Sequence, residues 1–98
     1  HLEIVKGALF QAGAGHQGEY AECCWQTKGV GQFRPMKGSN PFIGSEGGLE
    51  HVSEYRVEML CEHNLLKKVI EALKRAHPYE EPAFDIIKLI DVDMLNAD

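Results

Sequence analysis

No apolar run in this 98-residue sequence approaches the roughly 18 residues that a membrane-spanning helix needs. Positive charge is also scarce: 10 Lys and Arg stand against 15 Asp and Glu, a formal net charge of −5. That balance excludes a sequence-independent nucleic-acid binder, whose footprint must be basic. It argues equally against adhesion to anionic membrane. Cysteine is sparse and odd in number, with Cys23, Cys24 and Cys61. Two adjacent thiols and one remote thiol make a poor disulfide framework. Free thiols, with no charged-then-apolar leader in view, predict a reducing, cytoplasmic setting. The local metal spacings C-x-x-C, H-x-x-x-H and H-E-x-x-H are all missing. No local nucleophile signature is present.

What is there is an ordinary globular composition, 44% hydrophobic, in a length that suits one small domain. Residues 2–12 read as a helix, with Leu2, Val5, Ala8, Leu9 and Ala12 on one face and Gly13 as the stop. Residues 20–33 read as a strand, with Gly29 and Gly31 suggesting a bulge or bend. Residues 34–51 are rich in Gly, Pro, Ser and Asn. A loop that long in so small a domain tends to be functional or flexible. Residues 52–61 alternate: Tyr55, Val57, Met59 and Cys61 share one face, and Glu54, Arg56 and Glu58 the other. Asn64 is the expected N-cap of a second helix, whose stripe is Leu66, Val69, Ile70, Leu73 and Ala76. Glu71 and Arg75 can pair on its outer side. Residues 84–90 read as a last strand, and residues 91–98 as a short, loose acidic tail.

Two stretches stand out as candidate sites. The first is Gly13-Ala14-Gly15-His16-Gln17-Gly18, a literal G-x-G-x-x-G. It follows a helix and leads into a strand, the reverse of the dinucleotide-binding context, so that reading is rejected. Its backbone amides could still form an anion-binding nest. The second is His77-Pro78-Tyr79-Glu80-Glu81-Pro82. Pro78 ends the helix and pushes His77 into extended geometry. The prolines then fix a histidine, a tyrosine and two acids in one corner between helix and strand. A well-capped turn explains the corner as readily as a polar site or a subunit junction does. Glu80 and Glu81 offer an acid–base pair, although neighbours in a turn seldom aim at one point. A metal site would have to be assembled from distant pieces such as His16, Cys23, His77 and Glu80, against the plainer expectation of dispersed surface histidines. Cys23 and Cys24, adjacent on a strand, should point to opposite faces and chelate one ion poorly.

The two helical patterns repeat at an offset of 64: Val5 matches Val69, Ala8 matches Ala72, Leu9 matches Leu73 and Ala12 matches Ala76. Each is followed by a turn and a strand. The implied fold is α+β and ferredoxin-like, a split β-α-β sandwich with an antiparallel sheet and two helices on one face. The repeat also predicts a strand ahead of the first helix, where the sequence opens at His1. That strand is expected to be missing from these residues or supplied by something else. In this architecture it lies inside the sheet, so its absence leaves two strands with unpaired backbone groups.

The stretches Ala12-Gly13-Ala14-Gly15-His16-Gln17-Gly18-Glu19-Tyr20, Gly38-Ser39-Asn40-Pro41-Phe42-Ile43-Gly44 and Ala76-His77-Pro78-Tyr79-Glu80-Glu81-Pro82-Ala83-Phe84-Asp85 resemble the inserted domain of the Nif-three-like (NGG-one-interacting-factor-three) family, whose members are often labelled GTP cyclohydrolase I type 2 homologues. The resemblance spans about residues 1–90 and is closest to the short, free-standing YqfO-like version. It implies a fold related to the trimeric PII and CutA proteins, and a strand ahead of the first helix. In full-length members a dinuclear metal site is built by flanking segments, and no motif here matches those ligands. The expectation is therefore a PII/CutA-like domain over residues 1–90 with an acidic tail over 91–98, acting as a binding, regulatory or oligomerisation module without its own catalysis. Its partner is expected to be itself, as a homotrimer, with a small-molecule ligand at subunit junctions. No cofactor, nucleic acid or membrane is expected. The residues expected at a ligand site or interface are His16, Tyr20, Cys23, His77, Tyr79, Glu80 and Glu81. The competing expectation is a hydrolase that uses a divalent metal ion on a nucleotide-like substrate.

Overall fold

The computed structural model describes residues 1–41, 43–77 and 83–96. The first element, α1, runs Leu2–Gln11. Glu3 sits in its first turn, where the helix dipole favours an acid, and takes an ion pair from Lys6 Nζ at 3.1 Å. The helix ends as its sequence requires. Gly13 adopts φ +114°, and its N–H donates to Phe10 O at 3.0 Å, while the Ala14 N–H donates to Leu9 O at 3.1 Å. This pair of bonds is the Schellman closure, which needs a left-handed residue just past the cap.

The sheet has two antiparallel strands, β1 Trp25–Phe33 and β2 Glu50–Glu58, in register from Trp25 opposite Glu58 to Phe33 opposite Glu50. The ladder runs unbroken past Gly29 and Gly31, so the expected bulge does not form. Gly31 instead leaves room for the Glu54 carboxylate, which folds over it from the other strand. The first strand starts five residues later than the alternation suggested. Gln17 and Tyr20 close a tight turn of their own, Glu22 sits at φ +56°, and the Cys23 N–H is taken by Gly15 O at 2.8 Å. These local bonds hold residues 21–24 away from the ladder. Residues 59–61 likewise leave it, because Leu60 O accepts the Gly15 N–H at 2.8 Å.

A 3₁₀ turn, His63–Leu65, leads into α2, Leu66–Ala76. Asn64 is therefore not the N-cap. The Leu65 N–H already donates to Glu62 O at 3.0 Å, so the chain tightens one residue before Asn64 and α2 starts without a side-chain cap. Glu71 and Arg75 do not form the expected ion pair with each other. At the far end His77 is extended at φ −80°, ψ 136°, as the residue before a proline should be, and its N–H donates to Leu73 O at 2.9 Å.

The expected last strand is not formed. Residues 84–90 take no ladder partner among the described residues and are exposed throughout. A strand exists only as half of a hydrogen-bonded pair, and β-prone composition cannot supply the other half. A 3₁₀ turn, Val92–Asn96, follows, with the Asp93 N–H donating to Asp91 Oδ1 at 3.0 Å.

The architecture is α+β, in the order helix–strand–strand–helix that the split pattern requires. Its interior is thin. The buried apolar residues are Ala12, Ala14, Val69 and Ala72, with Leu9, Met59, Cys61 and Leu65 half-buried around them. Ala8, Ala12, Ala72 and Ala76, the alanines of the sequence repeat, line one shallow gap between the helices. The helix pair thus packs on itself and on residues 59–61 past the end of β2, and the hairpin projects beyond it. The radius of gyration is 16.6 Å, against about 13 Å for a compact chain of this length.

Candidate functional site

The glycine-rich turn is built from the end of α1 outward. Gly15 is buried at φ +85°, and a Cβ there would come within 2.8 Å of the Phe10 ring and 3.0 Å of Cys23 O. Its N–H and C=O tie the end of β2 to the approach to β1. The amides of Gly13, Ala14, Gly15 and Gln17 donate to Phe10, Leu9, Leu60 and Tyr20 carbonyls respectively. Those four donors are spent inside the chain and are not available to an anion nest. The glycines of the motif are structural: they let three chain segments meet closely.

His16 and Tyr20 stand exposed on this turn, and Cys23 is half-buried beside it with Sγ 3.7 Å from Ala21 O. Cys24 is exposed. His77 lies elsewhere. Leu65, at the start of α2, packs over Gly13, which places the end of α1 beside the start of α2. His77 caps the other end of α2, roughly 16 Å along an 11-residue helix. His16 and Cys23 therefore lie at one end of the helical layer and His77 at the other. Tyr79, Glu80 and Glu81 lie outside the described residues. Among the described residues no group of three His, Cys, Asp or Glu gathers as a metal ion would need.

Two titrating groups are perturbed. Burial holds the His77 imidazole below its ordinary 6.5. Burial first, and then the Glu62 carboxylate, push the Cys61 thiol up. Both directions disfavour the charged form, the usual cost of desolvation.

The long loop is more ordered than its composition suggested. The Gly47 N–H donates to Pro35 O at 2.6 Å, the Arg34 guanidinium donates to Gly47 O at 2.7 Å, and the Gly38 N–H donates to Glu46 Oε1 at 3.2 Å. Ile43 is half-buried, as an apolar anchor would be, while Phe42 lies outside the described residues. The sequence reading expected two strands left with unpaired backbone groups; the outer edge of β2 and the exposed residues 84–90 are left without ladder partners among the described residues, and neither was counted among the site residues. The signal was available in the run Phe84-Asp85-Ile86-Ile87-Lys88-Leu89-Ile90, apolar on both faces of any strand it forms.

No family model matches the chain. Curated relatives do. A GTP cyclohydrolase 1 type 2 homolog of Mycobacterium leprae is 48% identical over 90 residues, covering 92% of this chain and 23% of that protein. A protein of the same name from Bacillus subtilis is 49% identical over 84 residues, covering 86% of this chain and 22% of its own length. Among solved structures, a Bacillus cereus protein related to NIF3 superposes with a TM-score of 0.78 at 43% identity, covering 91% of this chain and 22% of that one. The chain thus spans about a quarter of the length of the relatives it matches.

Proposed function

The chain carries a segment of the Nif-three-like family, and from that premise we propose that it is a binding or assembly module without chemistry of its own. The observation that carries this is surface. The chain exposes 8184 Å² at a mass of 11.0 kDa, where a compact monomer of that mass exposes about 5,600 Å². The excess, about 2,600 Å², exceeds the roughly 800 Å² that each partner contributes to a standard interface and falls in the range of obligate assemblies. Among the described residues, a core of Ala12, Ala14, Val69 and Ala72 offers little to offset that exposure. Contact with other polypeptide, further copies or the remainder of a chain as long as the relatives', is the simplest cover.

The likeness to PII and CutA proteins favours a homotrimer in a cytoplasmic setting. The candidate residues fit a junction better than a site within one copy. His16, Tyr20 and Cys23 are about 16 Å from His77 along α2, so a ligand touching both groups would draw them from two copies, with Tyr79, Glu80 and Glu81 beside His77 in sequence.

Native mass spectrometry tests this. The expected result is a homo-oligomer, three copies by the family likeness. A monomer holding one or two divalent metal ions, with hydrolysis of a nucleotide substrate that is lost on chelation, would overturn it. That result would favour the competing reading, a hydrolase that uses a divalent metal ion on a nucleotide-like substrate.

A further inference from the structure

We infer that the gap between α1 and α2 docks an acidic amphipathic helix of a partner protein; this rests on the binding module proposed above and names a partner for it. The gap lies on the outer side of the helices. Lys6 of α1 reaches Gln26 of β1 at 2.8 Å, which fixes the side of α1 that faces the sheet. Ile4, Ala8 and Gln11 stand at i, i+4 and i+7, so they share one face, and helical rotation turns that face away from Lys6. The strand expected ahead of α1 belongs to the sheet, on the opposite side of the helices from this gap.

The floor is alanine. Ala8 and Ala12 of α1 and Ala72 and Ala76 of α2 line it, with Gln11, Lys68 and Arg75 around them. Such short side chains let a third helix approach closely and seat its ridge between the two. Ile4, one turn before Ala8, is 73% exposed and gives the floor an apolar anchor at its end. The gap holds about 500 Å³, but it is shallow and open. A small-molecule site encloses most of its ligand, so an elongated segment fits better.

Charge identifies the segment. α2 carries Lys67, Lys68, Lys74 and Arg75 against Glu71, in a chain of net charge −5. No acid lines the gap, and neither Lys68 nor Arg75 makes an ion pair among the described residues. Glu71 belongs to the other flank of α2, with His63, Lys67 and Lys74. A solvated helix face accounts for Lys74 and Arg75, which complement the helix dipole in the last turn. It does not account for Lys68. The first turn of α2 holds no acid and its N-cap makes no side-chain bond, so Lys68 meets the positive end of the helix with nothing to offset it. A carboxylate brought into the gap supplies that offset. Lys68 and Arg75 are seven residues apart, roughly 10 Å along the axis. A helix laid along α2 with acids at i and i+7 meets both, and an apolar residue at i+3 or i+4 then falls on the alanines.

The experiment uses the 98-residue chain and a capped synthetic peptide that reads Glu-x-x-Leu-x-x-x-Glu along one helical face, with alanine elsewhere. Binding is followed by amide shifts in NMR and by fluorescence anisotropy at low salt. The expected result is binding, with the shifts gathered at the gap and an affinity that falls as salt rises. Arg75→Glu should weaken it at least tenfold, and the peptide with Lys in place of Glu should then bind that variant better than it binds the wild type. Loss of the fold cannot mimic this rescue. Ile4→Ser should weaken binding severalfold, whereas Lys67→Glu, on the other flank, should change it less than twofold. Absence of binding, or a loss in Lys67→Glu equal to that in Arg75→Glu, overturns the docking site. If the peptide does not bind and Arg75→Glu instead dissociates the chain's own oligomer, a second copy fills the gap and the partner falls away. Native mass spectrometry on the same samples keeps the two readings apart: a homo-oligomer that ignores the peptide leaves the assembly module standing, and a monomer that binds it keeps the docking site and removes the homo-oligomer.

Discussion

Replacing Gly15 by alanine tests the account of the glycine turn most directly. Gly15 sits at φ +85°, buried, with its N–H donating to Leu60 O and its C=O accepting from Cys23 N–H, both at 2.8 Å. An alanine there costs about 1–2 kcal/mol for the left-handed backbone. Its methyl meets the Phe10 ring at 2.8 Å and Cys23 O at 3.0 Å. Relieving that overlap costs roughly 1–3 kcal/mol more, since the second neighbour is backbone and cannot swing aside. The total, roughly 2–5 kcal/mol, is a large fraction of the roughly 5–15 kcal/mol that holds a typical domain together. In urea, with a slope of about 1–3 kcal/mol per molar, the midpoint should fall by about 0.7–5 M. Gly18→Ala is the matched control, because Gly18 is at φ +59° with nothing within 4 Å of the added Cβ. It should cost the backbone term alone, about 1–2 kcal/mol. Both variants must be measured at one protein concentration, since association would shift the apparent midpoint. Equal losses in the two would refute the claim that close approach, rather than backbone conformation alone, requires glycine at position 15.

Burial keeps His77 neutral in the fold by lowering its pKa from 6.5, so its contribution to stability is complete above pH 6.5 and is lost as pH falls through the lower folded value. The melting temperature should therefore drop between pH 7 and pH 5, and His77→Gln should flatten that drop; an unchanged slope in the variant would assign the pH response to other groups. Among the thiols, Cys61 is held protonated by burial and by Glu62, whereas Cys24 is exposed. Alkylation at pH 8 followed by peptide mapping should therefore mark Cys24 first and Cys61 last. Equal rates would show that the Cys61 environment is open.

The helices were legible in the sequence because their signals are local. The Leu2, Val5 and Leu9 spacing and Gly13 fix α1, and the Val69, Ala72 and Leu73 stripe with Pro78 fixes α2. The repeated alanines were read only as an internal repeat, and the structure shows that they also mark where the helices approach. The strand ends were not. Tyr20 and Cys24 look β-prone, yet three backbone bonds around Gly15 and Gln17 divert the chain before Trp25. Asn64 has the chemistry of a cap, but the 3₁₀ turn beginning at Glu62 removes the need for one. Residues 84–90 have strand composition without a strand, because pairing depends on a neighbour that composition cannot provide. At the candidate site, residue types pointed to His16 and His77 together, and only the length of α2 separates them.

The closed loop at the tip of the hairpin has a practical corollary. Residues 34–49 begin where β1 ends, nine residues or about 30 Å from the helix-bearing end of the ladder, and the Pro35–Gly47 bond pinches their base. Extra sequence threaded between those two residues would be borne by the pinch rather than by the core. Doubling the loop adds only about 0.6 kcal/mol of closure entropy. That makes the tip a natural docking port for an epitope or a fluorophore carrier, held away from the alanine crossing.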